Sequence, residues 1–100
     1  MRPKKTRWIK REPPERCFKP VCKPLNKLEV VYLTLDEFES VRLADFEGLK
    51  QVDAAKKMRI SRPTFSRIIG LAHRKIADSI VNIKAIKIEG GCCKITRGRK

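Results

Sequence analysis

Polar and basic side chains cluster at the start of a predicted helix that follows a short turn. The stretch SRPTFSRIIGLAHRK carries the groups that could contact a nucleic acid, namely Arg62, Thr64, Ser66, Arg67 and Arg74. An arginine guanidinium can bond guanine O6 and N7 together, and hydroxyl groups can bond bases or phosphates. We therefore expect Arg67, Ser66 and Thr64 to contact bases. Arg62 and Arg74 lie nearer the edges of the helix and are expected to hold phosphates and fix register.

The apolar residues of the same segment predict the helix that would position these groups. They are Phe65, Ile68, Ile69, Ala72 and Ile76. On a wheel of about 100° per residue they fall on one side, whereas Arg67, Gly70 and Arg74 fall near the opposite side. Ser61 is a favourable N-cap and Pro63 is tolerated in a first turn, so the helix should begin after Ser61 and continue towards Val81.

A second, shorter helix is predicted just before this one. It runs from about Gln51 to Met58, and its small residues Ala54 and Ala55 allow another helix to approach closely. Two helices joined by a turn of about three residues, with a basic second helix, form the helix-turn-helix pattern, in which the second helix enters the major groove of DNA. An ordinary solvated helix face is the alternative explanation of the polar side.

The remaining body of the chain predicts one more helix and two strands. LEVVYLTL at residues 28–35 favours a short strand. TLDE at Thr34 is a capping box that should start a helix from about Leu35 to Phe46, with Gly48 as its stop. Alternating residues in KAIKIEGG predict a last strand, which could pair with residues 29–33 within one chain or between two.

These elements define the expected architecture and its boundaries. Residues 1–27 hold five of the six prolines and should form a basic arm with little regular structure. Residues 28–91 should form a mainly α, three-helix, helix-turn-helix domain with a minor two-stranded β element, and residues 92–100 a loose basic tail. No apolar run is long enough to span a membrane, and the basic N-terminus lacks the apolar stretch of a secretory signal, so we expect a cytoplasmic protein.

The charge of the chain favours a polyanionic partner. The formal net charge is +14, with 25 Lys and Arg against 11 Asp and Glu. It is concentrated at the two ends, around a slightly acidic middle. Lys and Arg set against phosphates release counterions, so such ends favour nucleic acid. The basic residues of the arm should add electrostatic affinity; they include Arg2, Lys4, Lys5 and Arg7.

Four cysteines allow a further kind of site. Cys17 and Cys22 stand in CFKPVC, and Cys92 and Cys93 are adjacent. Four thiolates could hold zinc or an iron–sulfur cluster if the last strand brings the tail beside the arm. The spacing is not that of the usual zinc knuckle, so plain thiols in a reducing cytosol, or disulfides in a thermophile, remain alternatives.

Several separated motifs resemble one known family. LTLDEFESVRLADFEGL, AAKKM, ISRPTFSRI and KAIKIEGG occur in the order found in the small archaeal and bacterial proteins grouped as domain of unknown function one-three-four. Their helix-turn-helix is similar to that of sigma factor region four. The resemblance implies a DNA-binding transcriptional regulator that reads DNA with Arg62, Thr64, Ser66 and Arg67. This chain departs from the pattern at Arg59, Lys50 and Asn82-Ile83, where the family often has Gly, a capping Ser or Thr, and Asn-Gly.

We therefore predict a nucleoid-associated protein that binds duplex DNA sequence-specifically and has no catalytic activity. The lone His73 has no nucleophile or acid beside it in sequence, and is predicted to be structural or to contact phosphate. Ile76, Ile80 and Val81 extend the apolar stripe and favour a homodimer. The alternatives are a metal- or redox-sensing switch and an RNA-binding or ribosome-associated module. RNA polymerase is a further expected partner, through the acidic first helix (Asp36, Glu37, Glu39).

Overall fold

Three helices occupy the middle of the chain. A computed structural model describes residues 7–9, 16–89 and 93–95. Helix α1 spans Leu35–Val41 and continues as one wider, π-helical turn over Arg42–Phe46. Helix α2 spans Gln51–Met58, and α3 spans Arg62–Val81. The three predicted helices are therefore confirmed, with the difference that the last turn of the first one is widened.

The described residues also include five short strands. They are β1 (Arg7–Ile9), β2 (Cys17–Phe18), β3 (Val30–Leu33), β4 (Ala85–Ile88) and β5 (Cys93–Ile95). Strands β2, β4 and β3 form one sheet in that order, with β2 antiparallel and β3 parallel to β4. Strands β1 and β5 form a separate parallel pair. The predicted pairing of the last strand with residues 29–33 is confirmed, and it occurs within one chain.

The β structure is larger than the predicted two-stranded element. Residues 1–27 were expected to lack regular structure, yet they contribute β1 and β2, and a short 3-10 helix follows at Leu25–Lys27. The tail was expected to be loose, yet it contributes β5. The reason is pairing: β2 and β5 each find a partner strand that is distant in sequence, so local composition alone did not reveal them.

Most of the buried apolar side chains in the described residues form two clusters. The larger joins α2, α3 and the π-helical turn through Leu43, Ala54, Ala55, Met58, Ile60, Phe65, Ile68 and Ile69. The smaller joins α3 to the three-stranded sheet through Leu33, Ala72 and Ile88. Val41 packs against both clusters, so α1 connects the helical part of the core to the sheet. The mainly helical fold class is as predicted.

The capping box at the start of α1 forms as its sequence predicts. The Thr34 amide donates to Glu37 Oε1 at 3.0 Å, and the Glu37 amide donates to Thr34 Oγ1 at 3.4 Å. Thr34 Oγ1 also donates to the Asp36 carboxylate. These bonds satisfy amides that the helix itself leaves without partners. They also set the direction in which α1 leaves β3.

No helix in the described residues is both long enough and apolar enough to cross a membrane.

Candidate nucleic-acid interface

Ser61 begins the helix that carries the predicted reading residues. The Thr64 amide donates to Ser61 Oγ at 3.3 Å, and Pro63 lies in the first turn, where its missing amide costs no hydrogen bond. The Ser61 hydroxyl donates to Thr64 Oγ1 at 2.9 Å. Thr64 is therefore half-buried and takes part in the cap, which leaves its hydroxyl less available to a base than that of the exposed Ser66.

Helix α3 has two chemically different faces. Its apolar face is buried: Phe65 and Ala72 are fully covered, and Ile68 and Ile69 nearly so. Ser66, Arg67 and Gly70 are exposed on the other side. A Cβ added at Gly70 would meet no atom within 4 Å, so this face is open at its centre. The division into an inward and an outward face follows the predicted one.

The arginines near the start of α3 are not neutralised within the fold. Arg62 and Arg67 are both exposed, and in the part of the chain that the structure describes neither has a hydrogen-bonded or ion-paired side-chain partner. Arg74 is also exposed, but it lies near Asp78, whose pKa it helps to lower. The two arginines of the first turns are thus the more available for an external anion.

The turn that aims α3 closes by backbone hydrogen bonds. The Arg59 amide donates to the Lys56 carbonyl at 3.1 Å, and the Ile60 amide donates to the Ala55 carbonyl at 3.1 Å. This is the Schellman arrangement, whose central residue takes a left-handed conformation. Arg59 has φ 58° and ψ 44°, so an arginine occupies the position where glycine is usual. Arg59 therefore replaces the glycine that the resembled family often has at this position, and the turn still forms.

Arg59 also contacts the N-terminal strand. Its guanidinium carbon lies 4.0 Å from the centre of the Trp8 ring. The next residue, Ile9, is fully buried. Strand β1 is thus held to the helix-turn-helix by one core side chain and one cation–π contact. Local sequence patterns could not have revealed this pairing, since the two residues are far apart along the chain.

The acidic residues of α1 are buried and hydrogen-bonded within the fold, so the expected contact of this helix with RNA polymerase stays a prediction. Asp36, Glu37 and Glu39 are 7%, 6% and 1% exposed. Glu37 accepts a hydrogen bond from Lys75 Nζ at 2.8 Å, and the same ammonium donates to the Tyr32 carbonyl. Glu37 thus ties α1 to α3 through Lys75.

Glu39 is held by a different cation. It accepts two hydrogen bonds from Arg42, each at 2.8 Å, and Arg42 also bonds Glu47 at 2.9 Å. The hydrogen bond and charge of Glu39 raise the pKa of Arg42 above its ordinary value. This network lies where α1 widens into the π-helical turn and places one arginine between two carboxylates.

His73 has a partner that the sequence did not indicate. Its Nε2 lies 2.6 Å from Asp45 Oδ2, and both side chains are about half exposed. Asp45 lies in the π-helical turn, a kind of turn that is often found at functional sites. The pair joins that turn to the middle of α3. A structural role for His73 is therefore supported, and the acid beside it comes from another element.

The end of α3 is joined to the starts of β4 and β3. Lys84 directly precedes β4, and its Nζ lies 3.1 Å from Asp78 Oδ2 of α3 and 3.4 Å from Oε1 of Glu29, which directly precedes β3. Hydrogen bonds from Asn82 and Lys84 lower the pKa of Asp78, and Asp78 in turn raises that of Lys84. Ile83, between them, has φ 55°, where the resembled family often has Gly.

The four cysteines are only partly described. Cys17 and Cys22 are exposed free thiols, and Cys92 lies outside the described residues. Cys93 pairs with Arg7 through its backbone, so the tail does return beside the arm. Among the described side chains, no group of three or more His, Cys, Asp or Glu is placed to hold a metal.

Most of the basic residues predicted in the arm lie outside the described part of the chain, namely Arg2, Lys4 and Lys5. Of the predicted arm contacts, only Arg7 falls in a described element, β1, and there only its backbone is described. Their expected contribution to binding therefore stays a prediction. What the structure adds is the position of β1, the element that follows these residues in the sequence.

Comparison with known proteins extends the resemblance seen in the sequence. The model of the family described as "Protein of unknown function DUF134" matches residues 1–96. The chain is 54% identical over 94 residues to UPF0251 protein TTE1845 of Caldanaerobacter subterraneus subsp. tengcongensis, covering 94% of this chain and 80% of that one. It is 52% identical over 90 residues to UPF0251 protein Teth39_0655 of Thermoanaerobacter pseudethanolicus, covering 90% and 76%.

A third relative, the UPF0251 protein of Prosthecochloris aestuarii, is 57% identical over 90 residues, which cover 90% of this chain and 58% of that one. No solved structure matches the chain. The family model spans nearly the whole sequence, and the relatives share half or more of its residues over that span. The chain therefore belongs to the DUF134, or UPF0251, family.

Proposed function

We propose that this protein binds duplex DNA sequence-specifically through α3 and acts as a transcriptional regulator without catalysing a reaction. The observation that carries the proposal is the outward face of α3. It exposes Arg62, Ser66 and Arg67 directly after a tight turn, and its arginines lack acidic partners in the described part of the chain. A helix held in this way can enter a major groove, which admits one helix.

The buried face of α3 gives the reading face its rigidity. Phe65, Ile68 and Ile69 pack into the larger core cluster, so the helix cannot roll without exposing them. A fixed helix places Arg67 at a defined angle, as two parallel hydrogen bonds to guanine require. Arg62 and Arg74 then hold phosphates on either side and set the register.

The distribution of charge supports a nucleic acid as the partner. Two acidic residues of the middle segment, Glu37 and Glu39, are paired with Lys75 and Arg42 inside the fold. They therefore do not cancel the exposed basic residues of α3. The basic arm adds further cations, and the net charge of the chain is +14. We expect affinity to fall steeply with salt, because each phosphate contact releases counterions. Such a protein belongs with the nucleoid in the cytoplasm.

The test begins with selection of bound duplexes from a random pool, followed by measurement of Kd for the selected site and for a scrambled one. Arg67→Ala should weaken specific binding by ~1–3 kcal/mol and relax preference at one base position. Arg67→Lys keeps the charge and loses the planar fork, so it should retain binding to scrambled DNA and lose preference for the selected site.

Lys27→Ala is the charge-matched control, since it removes one exposed cation from the 3-10 helix outside the helix-turn-helix. It should lower affinity for both duplexes slightly and leave base preference unchanged. If Arg67→Ala behaves like Lys27→Ala, α3 does not read bases. Stronger binding of structured or single-stranded RNA than of duplex DNA at equal salt would support the RNA-binding alternative instead.

The cysteines supply the second candidate, a metal- or redox-sensing DNA-binding switch. The observation in its favour is that β5 pairs with β1, which brings the chain at Cys93 beside the arm that also carries Cys17 and Cys22. Metal analysis of the purified protein tests it directly. Stoichiometric zinc or iron, with duplex affinity that changes on chelation, would support the switch. Metal-free protein with unchanged binding would leave the cysteines as plain thiols.

A further inference from the structure

We propose that Arg59 is a positioning residue for DNA binding, because it holds strand β1, and with it the basic arm, against the turn that aims α3. The inference rests on the proposed function and deepens it. It explains how residues outside the reading helix are delivered to the same stretch of DNA. We call the contact of Arg59 with strand β1 the clamp. Arg59 is separated from Arg62 by only two residues, so the clamp lies directly beside the reading helix.

Strand β1 lies against the turn between α2 and α3. The Arg59 guanidinium carbon lies 4.0 Å from the centre of the Trp8 ring, within the range of a cation–π interaction. Ile9 beside it is fully buried, so β1 is seated in the core immediately after the stacked ring. The turn between α2 and α3 therefore contacts β1 through Arg59 and Trp8.

The backbone of Arg59 indicates that its side chain is present for this contact. The left-handed conformation, with φ 58°, suits glycine better than arginine. The hydrogen bonds that close the turn use only the backbone of Arg59 and Ile60, so glycine would preserve them. Arginine contributes nothing to the turn that glycine lacks. The gain from its side chain must come from elsewhere, and Trp8 is its observed contact.

The position of β1 matters because Arg2, Lys4 and Lys5 lie close to it along the chain. They stand five, three and two residues before Arg7. Even a fully extended chain of five residues spans no more than about 20 Å. A fixed origin beside the helix-turn-helix therefore keeps these cations at high effective concentration near the phosphates that flank the site contacted by α3. Release of β1 from the turn would lower the effective concentration of these cations near the DNA.

A direct contact of Arg59 with a phosphate is the competing explanation, and a double-mutant cycle separates the two. The full-length protein is compared with Arg59→Gly, with a neutral arm (Arg2→Gln, Lys4→Gln and Lys5→Gln), and with both together. Under the clamp, Arg59→Gly raises Kd about three- to tenfold and flattens the salt dependence in the wild-type background. In the neutral-arm background it has little further effect, since the cations that it releases are already gone.

Two further readouts keep the outcome clear. Arg59→Gly should not lower the thermal midpoint, because it relieves the backbone, and it should increase trypsin cleavage after Arg7 with no DNA present. Trp8→Leu keeps apolar bulk on β1 and should reproduce the effects on cleavage and affinity. Arg59→Lys keeps a cation that can lie over the ring. It should therefore retain most of the wild-type affinity and most of the wild-type resistance to cleavage after Arg7.

An equal loss of affinity in both backgrounds would overturn the clamp in favour of a direct phosphate contact. Unchanged trypsin cleavage in Arg59→Gly and Trp8→Leu would overturn it whatever the DNA results. Failure of the wild-type protein to bind any duplex would refute the proposed function instead, while the cleavage experiment would still decide whether Arg59 holds β1.

Discussion

Within residues 7–9, 16–89 and 93–95, two residues other than glycine adopt a left-handed backbone, Arg59 with φ 58° and Ile83 with φ 55°. They end α2 and α3 respectively, where glycine is favoured. Arg59 gains a contact with the Trp8 ring in return. Ile83 is about half exposed and is β-branched, which makes this conformation especially unfavourable. The two positions therefore differ in what a glycine would change.

Ile83→Gly should stabilise the protein. The left-handed conformation of Ile83 costs the folded state roughly 1–2 kcal/mol, and glycine removes that cost. Part of the gain is offset because glycine has more conformational freedom in the unfolded chain. We expect a net gain of about 1 kcal/mol, or about 4–8 °C in thermal midpoint for a domain of this size. Thermal unfolding followed by circular dichroism measures it.

The matched controls for this position are Ile83→Val, which remains β-branched and should not gain, and Ile83→Asn, which tolerates the left-handed region and should. A glycine variant that melts below the valine variant would show that the half-exposed Ile83 side chain contributes more packing than its backbone conformation costs.

At the scale of residues, the sequence was informative where partners are neighbours. Thr34 with Glu37, and Ser61 with Thr64, are three residues apart, so their caps could be predicted from spacing. His73 with Asp45, and Arg59 with Trp8, come from different elements. Those pairs depend on how the elements pack against one another, and this packing cannot be predicted from composition or from spacing along the chain. No feature of the sequence around His73 pointed to Asp45.

At the scale of elements, α3 was the easiest to predict and the strands of the arm and tail were the hardest. The apolar residues of α3 repeat over several turns, which determines both its length and its buried face. Strands β1, β2 and β5 have three, two and three residues, too few for an alternating pattern to appear. They exist because partner strands satisfy their backbones. The prolines around β1 and β2 also argued against strands there.

The centre of the exposed face of α3 allows fold stability and DNA affinity to be separated. Gly70 is helical, exposed, and surrounded by open space. Gly70→Ala should stabilise α3 by about 1 kcal/mol, because alanine is the better helix former. If this face lies close against DNA, the added methyl group should nevertheless weaken duplex binding. Unfolding and binding measured on the same preparation give the two values.

A variant that is more stable and binds DNA as well as the wild type would indicate that DNA does not approach α3 at Gly70. Ala77→Gly offers the reverse control, since it should lower the stability of the same helix from a residue beyond the predicted contact region. Its effect on DNA affinity should be small.

At the scale of the whole molecule, apolar residues at the end of α3 are exposed in the part of the chain that the structure describes. Ile80 and Val81 are 69% and 74% exposed, and Leu71 is 49% exposed. The expectation of a homodimer rested on Ile76, Ile80 and Val81, of which Ile76 is half-buried. A two-fold dimer would place two copies of α3 on successive half-sites of one DNA face.

Sedimentation at micromolar concentration should therefore show a dimer, and Val81→Glu should convert it to a monomer by placing a charge in the contact. The variant should keep its thermal midpoint nearly unchanged and bind a single half-site as well as before, but lose affinity for a two-fold symmetric site. A wild-type protein that remains a monomer at these concentrations and on DNA would exclude this arrangement.

The order of strands in the three-stranded sheet has a consequence for synthesis on the ribosome. Strand β4 lies between β2 and β3, so neither of the earlier strands has a sheet partner until residues 85–88 have left the exit tunnel. The helices between them contact one another locally and can assemble while translation continues. Nascent chains that stop short of β4 would expose two unpaired strands, and chaperone binding or misassociation should concentrate in that interval.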